Sequence, residues 1–233
     1  MTLGGFPEVF LSGDERLARR WRRERLDRII REDIRDLESI RNIGRLSLLV
    51  DLLRERVGGL IRISNLAEDI QVSSKTVQAW LSILERMYVV FTVLPYTKSL
   101  PRAVLKPPKV YFFDNGDVSG DEGAHFENLV ATSLIKRLHY WEDREGYRYE
   151  LRYLRDKEGR EVDFVILKDG EIEELIEVKY GDETPSRSLR YYVERLRPKR
   201  ATQIVSRVSS PFDKDGIRVT GPLSYFTGLS PSS

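Results

Sequence analysis

The segment from Glu161 to Lys179 reads EVDFVILKDGEIEELIEVK. Its two halves are rich in apolar and β-branched residues, and Asp169-Gly170 between them favours a tight two-residue turn. This pattern predicts an antiparallel hairpin with strands at 161–167 and 172–178. Because the hairpin carries the residues discussed next, it decides both the fold of this half of the chain and its chemistry.

Three charged side chains of the hairpin are candidates for a metal site. Side chains alternate along a strand, so Glu177 and Lys179 share a face, and strand pairing can bring Asp163 beside Glu177. Two neighbouring carboxylates are tolerated when a cation lies between them, and oxygen ligands select Mg²⁺ or Mn²⁺. Such an ion suits phosphodiester hydrolysis, in which Lys179 would orient the attacking water or stabilise developing charge.

A helix predicted at 125–138 places Glu127 one turn from its start, where the carboxylate would reach the same metal as a ligand or position the water. The candidate site is therefore Glu127, Asp163, Glu177 and Lys179, and the three acids are the metal ligands. Acid-x-Lys triplets also occur by chance in a chain of this length. The alternative is an alternating strand pair whose charged residues face solvent.

The surrounding pattern predicts an α+β or α/β domain over residues 116–229. Its helices and strands follow the order αβββαβ, with a further short strand near the end. The predicted elements other than the hairpin are helices 125–138 and 188–197 and strands 147–154, 202–208 and 217–219. Residues 117–123 are expected to form an interdomain linker, and residues 230–233 a disordered tail.

Residues 43–115 have the pattern of a helix-turn-helix unit. The apolar spacing predicts helices at 46–56, 63–70 and 74–87, with Ser64 and Ser73 as N-caps. The last two helices have the spacing of a helix, a four-residue turn and a helix. Strands at 88–96 and 110–114 would form a wing. Residues 1–42 precede this unit, and their apolar positions from Leu17 through Ile34 and Leu37 predict an amphipathic helix.

The middle segment is the basic part of the chain, with ten lysines and arginines against six acids in residues 43–115. Ser74, Lys75 and Gln78 share one face of the second helix of the helix-turn-helix unit, which makes them candidate DNA-binding residues. Units of this shape also serve as protein adaptors, and that alternative stays open.

Composition limits the remaining chemistry. The chain has no cysteine, so disulfides, thiolate metal sites and cysteine nucleophiles are excluded. No apolar run approaches the ~20 residues of a membrane span, and the first ten residues lack a secretion signal, so we expect a soluble, cytoplasmic protein that does not bind membranes. The high charged fraction of 33% suggests a thermophilic source.

The candidate residues also carry a family resemblance. The chain resembles the C-terminal region of many archaeal and bacterial AAA+ ATPases of uncharacterised function, in which a winged helix precedes a PD-(D/E)xK (restriction-endonuclease-like) domain. The nuclease-like part of the resemblance rests on Phe126-Glu127-Asn128, Glu161-Val162-Asp163-Phe164-Val165 and Ile176-Glu177-Val178-Lys179. The winged-helix part rests on Gly4-Gly5-Phe6-Pro7-Glu8, Arg31–Ile34, Val72–Val77 and Lys109–Asp114.

The resemblance implies a Mg²⁺- or Mn²⁺-dependent DNA endonuclease that works with an ATPase. No Gly-x-x-x-x-Gly-Lys-Ser/Thr phosphate loop occurs in the sequence, so we expect the ATPase module to be a separate domain or chain. The alternative is a catalytically inactive DNA-binding or adaptor module of an ATPase system. The sequence leaves the DNA substrate, the oligomeric state and the pathway open.

Overall fold

Local sequence signals set the first helices of the chain. In the computed structural model, which describes residues 3–29, 43–97 and 106–228, the Asp14 side chain accepts hydrogen bonds from the amides of Arg16 and Leu17 and so begins a helix at Glu15. The predicted continuation of that helix through Leu37 and the predicted tail at 230–233 lie outside the described residues.

The described chain combines helices with a mixed sheet. Its helices are α1 (Pro7–Ser12), α2 (Glu15–Arg28), α3 (Ile43–Arg54), α4 (Ile63–Asp69), α5 (Ser74–Arg86), α6 (Glu122–Glu145), α7 (Arg187–Leu196) and α8 (Pro222–Gly228). Its strands are β1 (Val90–Pro95), β2 (Lys109–Phe112), β3 (Tyr149–Arg155), β4 (Glu161–Lys168), β5 (Glu171–Lys179), β6 (Arg200–Val205), β7 (Phe212–Lys214) and β8 (Ile217–Thr220). None of the described helices is long and apolar enough to cross a membrane.

Two compact units make up the chain. The first comprises residues 1–92 and 107–128, and the second comprises residues 93–106 and 129–233. Strand β1 and helix α6 each begin in the first unit and end in the second. The sequence-based division at residues 115 and 116 differs from this one and stays a prediction.

In the first unit, α4 and α5 are joined by four residues, as the sequence predicts. Ser73 caps α5, because its hydroxyl oxygen accepts a hydrogen bond from the Thr76 amide at 3.0 Å. The predicted cap at Ser64 is wrong: α4 begins at Ile63 and its N-cap is Arg62, which makes no side-chain capping bond. Ser64 lies inside the helix, where its hydroxyl bonds the Asn65 side chain instead.

Apolar side chains of α3, α4 and α5 form the core of the first unit, together with residues of β2. Leu49, Val77 and Phe112 are fully buried in this cluster.

Residues 117–123, expected to form a linker, include the buried Asp117, and α6 begins at Glu122 rather than at His125. Asp117 forms ion pairs with Arg25 of α2 and Arg54 of α3, and these pairs hold the start of the segment.

In the second unit, the predicted hairpin is confirmed. Strands β4 and β5 pair antiparallel, and Asp169 and Gly170 both have positive φ angles, as a primed two-residue turn requires. The sheet of this unit runs from the end of β1 through β3, β4, β5, β6 and β8 to β7. β1 runs parallel to β3, with Leu94 opposite Arg152, so this end of the predicted wing strand belongs to the second unit's sheet.

Helix α7 covers the central strands of that sheet. Leu189 and Tyr192 of α7 pack with Val162 and Val165 of β4 in one buried cluster. The helix connects β5 to β6, which pair parallel, and this packing places the loop before α7 at the carboxyl end of β5. The sequence analysis missed β7 and α8.

Candidate functional site

Strands β4 and β5 part from each other at the candidate site. Their last paired residues are Phe164 and Ile176, although each strand continues for three more residues beside its other neighbour. At the next position Asp163 Oδ2 accepts a hydrogen bond from the Val178 amide at 2.9 Å. A carboxylate thus replaces the backbone ladder where Asp163 and Glu177 would have paired, which opens the sheet between them.

Glu177 is a buried carboxylate in an unusual electrostatic setting. Its residue is only 4% exposed, and its Oε1 lies 2.8 Å from the Lys179 ammonium nitrogen. Its Oε2 is buried and has no hydrogen-bond partner among the described residues. Burial, together with the negative charge of Asp163, raises the pKa of Glu177 to about 7 against the opposing effect of Lys179.

The structure brings three of the four predicted residues together. Asp163, Glu177 and Lys179 lie in the second unit, at the point where the strands part. Glu127 belongs to the first unit, where its Oε1 accepts a hydrogen bond from the Tyr111 hydroxyl at 2.7 Å and lies 3.4 Å from the Lys109 ammonium. Its role as a metal ligand stays a prediction.

Sequence reasoning missed the side chain that holds the loop beside the site. Gln203 of β6 is fully buried and pairs in register with Glu177. Its Oε1 accepts from the Ser186 amide at 2.9 Å, and its Nε2 donates to the carbonyl oxygens of Asp182 and Thr184 at 3.0 and 2.9 Å. One sequence signal was available, a glutamine inside the otherwise apolar end of a strand.

The residues present fit a hard divalent cation. Within the described ranges, no group of three or more histidine, cysteine, aspartate or glutamate side chains is arranged to hold a metal ion. Mg²⁺, however, is commonly held by one or two carboxylates, with waters and substrate phosphates completing its shell. Asp163 and Glu177 offer two carboxylates, and the unpartnered Oε2 of Glu177 is a buried acceptor that a cation would satisfy.

Each half of the chain matches a family of protein domains. Residues 1–119, just over half of its length, match a domain of unknown function, DUF8612. The chain belongs to the DUF8612 family. Residues 122–223 match a second domain of unknown function, DUF4143. The DUF8612 match contains Ser74, Lys75 and Gln78, and the DUF4143 match contains the four candidate active-site residues.

One curated relative also matches. It is the uncharacterized protein MJ1544 of Methanocaldococcus jannaschii, which is 26% identical over 232 residues. The match covers 94% of this chain and 50% of the relative, so the chain spans about half the length of the curated relative that it matches. No solved structure matches the chain.

The DUF8612 part presents the three predicted DNA-binding residues to solvent. Ser74, Lys75 and Gln78 are exposed on the first two turns of α5, while Val77 and Trp80 of the same helix are buried. This exposure is what a DNA-contacting face needs, and it is equally common on any solvated helix. DNA binding by this face stays a prediction.

Glu177 should make the stability of the fold depend on pH. Its pKa of about 7 lies above the ordinary value of 4.5, so between these pH values the folded chain holds a proton that the unfolded chain has released. The free energy of unfolding should therefore fall as the pH rises from about 4.5 to about 7. Glu177→Gln should remove this contribution, so the variant should gain stability relative to the wild type above pH 7. Urea denaturation of both proteins at pH 5 and pH 8 measures this, and an identical difference at both pH values would contradict it.

Proposed function

We propose that the chain is a metal-dependent DNA endonuclease of the PD-(D/E)xK type, with a winged helix that binds DNA and a second domain that hydrolyses a phosphodiester. The observation that carries the proposal is the parting of β4 and β5, where Asp163, Glu177 and Lys179 meet. Two carboxylates and a lysine, placed where a sheet opens, form a suitable set for binding a cation and a phosphate together.

In this proposal Asp163 and Glu177 hold Mg²⁺ or Mn²⁺. The bound ion would supply a Lewis acid that polarises the phosphoryl oxygen and lowers the pKa of water. Lys179 lies beside Glu177, where its ammonium would orient the attacking water or stabilise charge on the phosphate. Gln203 would keep the loop before α7 in place.

The raised pKa of Glu177 bears on how the site would bind a cation. With a pKa of about 7, Glu177 is only partly ionised at neutral pH, and burial next to Asp163 disfavours its charge. A cation reverses that preference, because it is attracted to both carboxylates. Lys179 already offsets part of the negative charge of the two carboxylates.

Cleavage assays test this proposal directly. Purified protein should nick supercoiled plasmid or branched DNA in Mn²⁺ or Mg²⁺, and the activity should be absent in EDTA. Glu177→Ala should show no activity above background. If wild type and variant give the same background in every metal, the endonuclease proposal fails.

The winged-helix part of the proposal is supported by the order of elements in the first unit. Helices α3, α4 and α5 are followed by a strand, and Leu60 forms an antiparallel bridge with Lys109 at the start of β2. In a winged helix, the segment between the first two helices forms such a bridge with a strand of the wing. Residues 98–105, where the tip of the predicted wing would fall, lie outside the described residues.

Replacing Lys75 and Gln78 together with alanine should weaken DNA binding. Each wild-type side chain is exposed on α5, so the change removes a phosphate or base contact without opening the core. We expect about a tenfold loss of affinity and a smaller dependence on salt, measured by fluorescence anisotropy with labelled duplex. Lys157→Ala, an exposed lysine of the second unit, is the matched control. Unchanged affinity and salt dependence would favour an adaptor role for this unit.

A catalytically inactive adaptor of an AAA+ ATPase system is the second candidate. DUF4143 domains are commonly associated with AAA ATPases, and the chain matches only half of its relative. In the second unit a groove of about 750 Å³ lies between α6 and α8, where Leu223 is 76% exposed and Tyr140 is 56% exposed. Among the described residues its charged lining consists of Lys136, Arg137 and Arg144, so an ATPase surface that docks there would be acidic and apolar.

A further inference from the structure

A second charged cavity lies within the first unit. It has a volume of about 390 Å³ and is bounded by α2, α3 and the turn at residues 116–119. This volume is within the range of ~300–1,000 Å³ that small-molecule sites occupy. The charged residues that line it are Arg19, Arg22, Arg23 and Arg54 and three acids, Asp27, Asp51 and Asp117.

Two of these acids form ion pairs with arginines. Asp117 is buried and receives Arg25 at 2.7 Å and Arg54 at 3.1 Å. Arg54 also lies 3.1 Å from Asp51, whose side chain is largely exposed. Arg25 does not line the cavity, but its positive charge offsets part of the negative charge of Asp117. The lining has four arginines and three aspartates, and Arg25 adds a further positive charge beside Asp117, so the cavity has an excess of positive charge.

Three further arginines line the cavity together with Asp27. Arg23 is exposed, and Arg19 pairs with Glu15 at 3.4 Å with both side chains more than half exposed, a pairing that water weakens. Arg22 lies against the backbone of Gly116, where a side-chain Cβ would come within 2.4 Å of its Nη1. Glycine at this position leaves room for the guanidinium to lie against the turn, at the cavity wall.

An independent feature indicates an acceptor in the same place. Arg54 lines the cavity, and its buried Nε has no hydrogen-bond partner among the described residues. A buried guanidinium nitrogen without an acceptor is costly, by about 1–3 kcal/mol for a typical polar group. Guanidinium groups match the geometry of phosphate oxygens and bind them through paired hydrogen bonds.

We propose that this arginine cavity binds a phosphate group, carried either by a free nucleotide or by a nucleic acid strand. The cavity lies in the first unit and uses none of the residues of the candidate metal site. Its ligand would therefore bind without a divalent cation and whether or not the chain cleaves DNA.

Binding measurements in EDTA test the proposal, because chelation excludes any contribution from a metal site. Calorimetry measures the binding of three probes: pyrophosphate, ADP and a 12-nucleotide single strand of DNA. Wild-type protein should bind at least one of them with a salt-dependent affinity, and an Arg19→Ala, Arg23→Ala double variant should bind at least tenfold more weakly. Both side chains are exposed, so the variant should unfold at the wild-type temperature.

Arg20→Ala is the matched control, because Arg20 lies on the same helix, pairs with Glu24 at 2.6 Å and does not line the cavity. It should bind like the wild type. Loss of pyrophosphate or ADP binding in the double variant would identify a nucleotide site, and loss confined to the DNA strand would identify a backbone-phosphate site. Binding of no probe, or equal binding by the double variant and the wild type, would overturn the proposal.

Discussion

Lys179→Ala should lower metal-dependent DNA cleavage by about 100-fold or more, because it removes the only ammonium placed beside the two carboxylates in the described part of the site. The Lys179 nitrogen lies 2.8 Å from Glu177 Oε1, and loss of one group that stabilises transition-state charge costs about 10²- to 10³-fold in rate. The rate of plasmid nicking under saturating Mn²⁺ measures the effect. Lys179 is 39% exposed at its side chain, so the variant should fold.

Lys199→Ala is the control for this experiment. Lys199 lies next to the first residue of β6 and forms an ion pair with Glu173 at 2.9 Å, with a side chain that is 67% exposed. It has the same chemistry as Lys179 without a place in the candidate site, so its replacement should leave the rate unchanged. Equal rates for Lys179→Ala and the wild type would remove Lys179 from the mechanism.

Asn128→Ala should destabilise the first unit by about 3 kcal/mol or more. Asn128 is fully buried, its Oδ1 accepts from the Phe112 amide at 2.8 Å, and its Nδ2 donates to the Phe112 carbonyl at 3.0 Å. The same Nδ2 donates to Asn115 Oδ1 at 3.1 Å. Alanine would remove these three buried hydrogen bonds, each of which contributes about 0.5–1.5 kcal/mol.

Urea denaturation of the Asn128→Ala variant measures this loss. Asn65→Ala provides the comparison, since Asn65 is exposed on α4 and its replacement should change the free energy of unfolding by less than about 0.5 kcal/mol. A stability of Asn128→Ala within the same narrow range would show that the Asn128 side chain does not hold β2.

The parts of the structure that the sequence predicted are those that depend on local signals. The hairpin follows from alternation of apolar residues and from the Asp169-Gly170 turn, and alternation also placed Glu177 and Lys179 on one face. The start of α5 followed from Ser73 for the same reason. Each of these signals acts within about ten residues, where the chain has few alternative conformations.

The parts that the sequence did not predict depend on distant contacts. Gln203 can hold the loop before α7 only because β6 lies beside β5. Leu94 pairs with Arg152 of β3, a partner almost 60 residues away along the chain. A register shift between β4 and β5 accompanies the burial of Glu174, which accepts from Thr202 at 2.6 Å and from Tyr225 at 3.1 Å. Periodicity within one strand contains no information about such partners.

Glu127 illustrates the same limit within the candidate site. Its position on a helix could be predicted, but its bonds to Tyr111 and Lys109 join it to a strand that the sequence assigned to a separate domain. Gly58 also approaches its carboxylate, since a Cβ there would lie 2.8 Å from Oε1. The Tyr111 hydroxyl and the Lys109 ammonium thus already occupy the Glu127 carboxylate in the first unit.

The rate of plasmid nicking as a function of Mn²⁺ concentration tests the proposed function most directly. Wild-type protein should show a saturating rise from no activity in EDTA, Asp163→Asn and Glu177→Gln should each abolish it, and Lys199→Ala should follow the wild-type curve. Background nicking that is the same for all four proteins at every Mn²⁺ concentration would contradict catalysis at Asp163, Glu177 and Lys179.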